Sequence, residues 1–393
     1  NGGIFDVENA GSTVGSLSGG ANGTLEGTLT LTNAKDTYCG GMEGNGNVVI
    51  AGGTEILTGA NTYSGTTTIN NGAILQVDGA GSTGTGDTTA NGTLSGTGTV
   101  GGNATIASGG TLSAGDGANG IGTLTVAGNL TLADGSTQKF QIGQANTAGG
   151  QYNDLVSVGG DLTLGGTLNV TTAAGGPDVQ DTALKVGVYR LYNYGGALSG
   201  SQTLGNMPSS GTTDFSLQTS VATQVNLVVD DGKLTFWDGD NHTSHTDGPN
   251  GGDGTWIASR TAYDTRNWTD QSGSRNARWD DGGFAVFQGK AGTVTVSNKN
   301  ADGTPNNVTF SGMQFANSDG GTYVITGDDL YATTSSTRIV VGAASNDTDL
   351  KAQLDTVIND SAVTGSSTDL VKEGAGTLIV TKDQTYHGAT NIN

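Results

Sequence analysis

Again and again the chain sets glycine before threonine and follows it with leucine or valine, as at Gly27-Thr28-Leu29, Gly92-Thr93-Leu94, Gly98-Thr99-Val100, Gly110-Thr111-Leu112, Gly122-Thr123-Leu124, Gly166-Thr167-Leu168 and Gly376-Thr377-Leu378. The grammar is a corner, a threonine and an apolar residue that opens a strand. The strands are short and alternating, as in Leu29-Thr30-Leu31, Leu124-Thr125-Val126, Leu130-Thr131-Leu132, Leu162-Thr163-Leu164 and Leu168-Asn169-Val170. Each run sends apolar side chains to one face and a polar one to the other. One such strand buries too little to offset its backbone entropy. Many stacked strands can, at roughly 1.5–3 kcal/mol per buried aliphatic side chain.

Longer echoes point the same way. Val126–Leu132, "VAGNLTL", returns as "VGGDLTL" at Val158–Leu164, and Thr54–Asn70, "TEILTGANTYSGTTTIN", returns as "TLIVTKDQTYHGATNIN" at Thr377–Asn393. Aligned without gaps, the second pair agrees at Thr54, Ile56, Thr58, Thr62, Tyr63, Gly65, Thr67, Ile69 and Asn70. Short strands joined by tight polar corners predict a solenoid in which each turn stacks on the last, with threonine and asparagine in ladders of like residues. At about 20–25 residues per turn and the ~4.8 Å spacing between paired strands, the expectation is a rod roughly 80–90 Å long. A closed barrel or sandwich is the competing architecture, with longer strands and a period of about 8–12 residues.

Composition narrows the function classes. Seventy glycines make up about 18% of 393 residues, hydrophobic residues reach only 33%, and four prolines exclude a collagen or a proline-rich linker. The formal net charge of −21 makes nucleic acid and anionic membrane poor partners. Cys39 is the single cysteine, so no internal disulfide forms. No apolar run reaches the ~18 residues of a transmembrane helix. Both ends fall inside repeat-like text, so the expectation is a piece of a longer chain.

The composition shifts near residue 236. Trp237, Trp256, Trp268 and Trp279 lie within 43 residues, and four of the six arginines, Arg260, Arg266, Arg275 and Arg278, lie within 19. This divides the chain into a β-block over 1–235, a Trp/Arg-rich cassette over 236–300 inserted in or capping the turns, and a second β-block over 301–393. Leu350, Leu354, Val357 and Ile358 have helical spacing and predict a short helix over Asp349–Asp360.

Sites of chemistry are few. Three GxGxxG matches, beginning at Gly79, Gly96 and Gly115, are uninformative at this glycine content, and none joins a strand to a helix as phosphate binding requires. His242 and His245 sit in a polar loop with Asp238, Asp240 and Asp247, three apart with no third ligand in evident reach. His387 aligns with Ser64 and reads as a surface substitution. Asp328-Asp329 and Asp238-Gly239-Asp240 offer oxygen ligands to a hard cation, but the nine-residue calcium-roll repeat is missing. No cofactor and no resident metal is expected. Trp237, Trp256, Trp268 and Trp279, with Arg260 and Arg266, are the candidate binding residues: aromatic faces and arginine forks suit sugar or protein recognition. The same tryptophans, with Phe284 and Phe287, could equally build a local core.

Leu370–Asn393 and Gly46–Val77 resemble the passenger-associated transport repeat of bacterial autotransporters (type V secretion). The C-terminal copy carries Lys372, Gly374, Gly376, Thr377, Leu378, Thr385, Tyr386, Gly388, Thr390 and Ile392 of that pattern. The first carries Gly59, Asn61, Thr62, Tyr63, Gly65, Thr67, Ile69, Gly72 and Leu75. The first copy departs from it with Val49 at the lysine and Glu55 at the leucine, which predicts a partly solvent-facing strand there. The cassette is also similar to one found in large passengers. The resemblance implies an all-β, right-handed parallel β-helix at the cell surface of a Gram-negative bacterium or released from it. It implies a structural and adhesive role, with a host surface, matrix protein, glycan or sister rod as partner, and no enzyme activity. Membrane attachment would come through a C-terminal barrel outside this sequence. A β-helical polysaccharide-cleaving enzyme and a secreted effector engaging a host receptor are the alternatives.

Overall fold

The computed structural model describes residues 5–115, 120–180, 182–208, 214–219, 221–230, 234–240, 248–258, 266–271, 273, 276–300, 303–317, 319–342 and 347–393. Its strands are short, mostly parallel and paired from one turn to the next, and they build a parallel β-helix. Among the described residues the one helical segment is a single 3-10 turn, Asp347–Asp349, and no helix is long and apolar enough to cross a membrane. The chain divides into two compact units. The first comprises Asn1–Gln144, Gly149–Leu184 and Arg190–Ser210; the second comprises Ala145–Ala148, Lys185–Tyr189 and Gly211–Asn393.

In the first unit, one face is a nine-stranded parallel sheet from Ser12–Val14 to Leu198–Gly200, and a second is an eight-stranded sheet from Thr37–Tyr38 to Thr203–Leu204. A third face carries Phe5–Val7, Gly23–Leu25 and Met42–Gly44, and further along Thr99–Val100, Thr123–Val126 and Leu155–Val158. The leucine–threonine–leucine runs behave as their alternation requires. In Leu29–Leu31, Leu130–Leu132 and Leu162–Leu164 both leucines are buried and the threonine between them is half-buried. Stacking is in register, so Leu130 pairs with Leu162 and Val126 with Val158, which places the two copies of the "VAGNLTL" phrase directly one on the other.

The turns are less uniform than expected. Register partners in this unit range from Thr88↔Ala104, 16 residues apart, to Leu162↔Leu198, 36 apart. The strands hold their positions and the corners absorb the difference. At one corner an asparagine–aspartate ladder ties successive turns together: Asn129 N donates to Asn103 Oδ1 (2.8 Å), Asp161 N to Asn129 Oδ1 (2.7 Å) and Ala197 N to Asp161 Oδ1 (2.7 Å). These side chains satisfy corner amides that the sheet ladder does not reach.

In the second unit, Leu234–Trp237, Phe284–Gly289, Gly312–Asn317, Ser336–Val341, Asp369–Glu373 and Thr390–Ile392 form one parallel face. Gly254–Ile257, Thr293–Ser297, Thr322–Gly327, Lys351–Asp355 and Thr377–Val380 form another. The expected helix over 349–360 is not formed. Ala352 and Leu354 alternate inward against Lys351, Gln353 and Asp355, and the strand pairs with Thr322–Gly327 before Ile358 opens the next one. Period-two burial against an existing strand overrides the local 3.6-residue spacing.

Candidate functional site

The cassette that drew attention in the sequence folds onto the second unit as antiparallel strands. Trp237 pairs with Trp268, and Trp268 with Ala277, beside the parallel pairing of Leu234–Trp237 with Phe284–Gly289. Trp237, Trp256, Trp268 and Trp279 are each at most 1% exposed. Their rings meet mostly edge to face: Trp237–Trp268 at 5.1 Å and 75°, Trp256–Trp268 at 5.1 Å and 66°, and Trp256–Trp279 at 4.8 Å and 73°. Phe287 closes the cluster and stacks on Phe315 at 5.0 Å and 13°. Such pairs contribute about 0.5–1.5 kcal/mol beyond area burial. Trp237 Nε1 donates to Gly252 O (2.8 Å) and Trp279 Nε1 to Thr309 O (2.9 Å), while Trp256 Nε1 is buried with no partner among the described residues. Arg266 and Arg278 are exposed; Arg260, Arg275, His242, His245 and Asp247 lie outside the described residues.

Three of the aspartates singled out as cation ligands, Asp238, Asp240 and Asp328, accept from backbone and side-chain amides instead. Asp238 is fully buried; its Oδ1 accepts from Asn250 N (2.8 Å) and its Oδ2 from Asn276 Nδ2 (3.3 Å). Asp240 Oδ1 accepts from Asn267 Nδ2 (3.1 Å), and Asp328 Oδ2 from Asn298 N (2.9 Å). Among the described residues no group of three or more His, Cys, Asp or Glu side chains converges on a metal position.

The two copies of the repeated phrase build the same corner. Asn61 Oδ1 accepts from Met42 N (2.7 Å) on the preceding turn and its Nδ2 donates to Gly59 O and Ser82 O. At the matching position Gln384 Oε1 accepts from Ile358 N (2.8 Å) and its Nε2 donates to Thr356 O and Lys382 O. Tyr63 and Thr67 share a hydroxyl–hydroxyl hydrogen bond, and so do Tyr386 and Thr390. His387 is exposed as expected, yet its amide and Nδ1 both reach the buried Asp360 (2.7 and 3.0 Å). Burial pushes the Asp360 carboxyl up, but the amide and ring of His387 and the Thr368 amide outweigh it and hold it below the usual range.

Two expectations for the first copy change. Pairing of Val48 with Thr67, and of Leu370 with Thr390, makes Ile50 rather than Val49 the counterpart of Lys372, because one corner is a residue longer in the second copy. Lys372 turns inward and donates from Nζ to Glu373 O and Gly374 O. Glu55 is fully buried rather than partly solvent-facing. It occupies the inward column of Leu75, Leu94 and Leu112, where register outranks polarity. Ser16 Oγ and Leu17 N approach its Oε2 at 3.3 and 3.4 Å, and Oε1 has no partner among the described residues. Burial, opposed by those two donors and reinforced by Asp36, pushes the carboxyl up to about 7.

A corner shared this closely by two distant segments marks a repeat unit, and the passenger-associated-transport-repeat model matches residues 52–77 and 370–393. Over 391 residues, 94% of this chain, the sequence is 42% identical to the "Adhesin BmaC autotransporter" of Brucella suis biovar 1 (strain 1330). Residues 52–77 and 370–393 are thus passenger-associated transport repeats, and the chain is similar to an autotransporter. As passenger sequence its place is the cell surface or the space outside it, reached through the outer membrane. This passenger segment spans 11% of that relative's length. Sequence reasoning found the repeat and the tryptophans but missed what Asn61, Gln384 and the Tyr–Thr pairs do. The signal was present in their equal spacing in both copies.

Proposed function

We propose that this passenger segment is a non-enzymatic, adhesive stretch of a surface-displayed β-helix. The observation that carries the reading is identity of 42% across nearly the whole chain with a relative named as an adhesin. The geometry supports it: the carboxylates described above accept hydrogen bonds from backbone and amide groups and so serve the stack. Paired carboxylates across an open cleft, which glycoside cleavage requires, are not what these residues form. The partner is a host-cell surface, a matrix protein or glycan, or a sister passenger, engaged by many weak contacts along outward faces. The 236–300 cassette serves as an inserted element whose exposed rim, including Arg266 and Arg278, faces the partner while its indoles hold the rim in place.

Beads coated with the purified chain should adhere to cultured host cells or matrix-coated wells more than beads coated with an unrelated acidic protein. Equal adhesion would overturn the reading. Release of reducing or unsaturated ends from acidic polysaccharides by the purified chain would replace it with the enzymatic alternative.

A further inference from the structure

Over the outer face of the eight-stranded sheet of the first unit lies a groove of about 600 Å³. It crosses six successive strands, from Thr54–Leu57 to Thr167–Thr172, a span of ~24 Å at the usual strand spacing. Two outward rows make its floor. Thr93 pairs with Thr111 in one, and Ser95, Ser113, Lys139 and Asn169 follow one another in register in the other. One wall is held by Asp154, whose Oδ1 accepts from Gly122 N (3.0 Å) and Oδ2 from Gln141 N (2.7 Å). The volume falls within the ~300–1,000 Å³ of small-ligand sites.

A ladder of hydroxyls on a β-helix face can be mere packing. Two facts argue otherwise here. Ser95 is only 4% exposed, lines the groove, and its hydroxyl has no hydrogen bond to protein among the described residues. Thr93, Thr111 and Ser113 likewise keep their hydroxyls unengaged, and Lys139 has no ion pair among the described residues. We propose that this groove is a binding site for an extended glycan carrying a single acidic sugar, with its carboxylate at Lys139.

The chemistry selects that occupant. Each hydroxyl both donates and accepts, as sugar hydroxyls do, and threonine methyls offer small apolar patches to sugar C–H faces. A peptide cannot join as a strand, because the backbones beneath the groove are already paired on both sides. Phe140, the one aromatic residue among the described lining residues, is buried, so the floor presents no exposed aromatic anchor of the kind that dominates protein interfaces. One lysine on a chain of net charge −21 favours one carboxylate and disfavours a dense polyanion. The proposal deepens the adhesive reading and rests on it for its biological sense.

Titration calorimetry of the purified chain with lacto-N-tetraose, its monosialylated form and a heparin hexasaccharide tests it. The monosialylated sugar should bind best, the neutral one about tenfold more weakly, and heparin not at all. Lys139→Gln should bring the monosialylated sugar to the level of the neutral one. Ser95→Ala with Ser113→Ala should weaken both sugars more than about tenfold while the chain unfolds at its unaltered midpoint. No binding of either tetraose form at millimolar concentration, preference for heparin, or full binding by the double variant would overturn the site. Bead adhesion that persists without sugar binding would sink the groove and leave the adhesive reading standing; sugar binding without bead adhesion would do the reverse.

Discussion

Tyr63 donates or accepts a 2.7 Å hydrogen bond with the Thr67 hydroxyl four residues on, and Tyr386 and Thr390 repeat the bond at 2.6 Å. Tyr63 is fully buried with the Gly84 turn stacked over it, whereas the Tyr386–Thr390 bond is exposed. The same bond therefore differs in worth. Tyr63→Phe strands the buried Thr67 hydroxyl and should cost about 1–3 kcal/mol, and Tyr386→Phe should cost under ~0.5. Urea unfolding of both variants checks this; equal costs would show that burial does not set the value.

Glu55 makes stability depend on pH in the direction opposite to most carboxylates. Its folded value of about 7 lies above the ordinary 4.5, so the folded state binds the extra proton. Stability is then fully present below about 4.5 and falls as pH rises through about 7, by about 3 kcal/mol. Glu55→Gln should flatten that slope, and Glu55→Leu should raise the neutral-pH unfolding midpoint. Unfolding curves between these two pH values decide; a wild-type curve that rises with pH would contradict the assignment.

Two corner glycines near the first repeat are under unequal constraint. Gly53 has φ of +79°, and a Cβ there would lie 2.0 Å from the Ala34 carbonyl oxygen of the turn below; Gly72 has φ of +80° but open space around it. Gly72→Ala should cost about 1 kcal/mol from backbone strain alone. Gly53→Ala must also push two turns apart and should cost at least ~3 kcal/mol. Thermal unfolding of the pair distinguishes a conformational demand from a spatial one.

All four tryptophans sit in one cluster, so indole fluorescence follows the second unit's core. Trp268→Ala should lower stability by about 3–5 kcal/mol and red-shift the emission of the remaining indoles. An unchanged midpoint in denaturant would mean that Trp268 is not packed as described.

The parallel stack was legible because its cause is local: leucine–threonine–leucine runs can bury only one face, and the Val126–Leu132 echo is one turn repeated. The segment around Leu354 misled, since helical and strand spacings coincide over so few residues and the strand Thr322–Gly327 decides between them. The burial of Glu55 was unreadable because its column is set by register with Leu75, not by its own polarity. The groove was unreadable for a related reason. Ser95, Ser113, Lys139 and Asn169 become neighbours only through turns of unequal length, and no fixed period in the sequence connects them.

The ladder from Asn103 to Ala197 runs one way: each earlier side chain accepts from an amide on the next turn along the chain. A partly assembled stack is therefore chemically unlike at its two extremities. One side offers a vacant carboxamide or carboxylate oxygen, the other a bare N–H, so an arriving turn meets a different template depending on which extremity it joins. The polypeptide carries its own arrow, as a polar filament does, and growth from the two directions should proceed at different speeds.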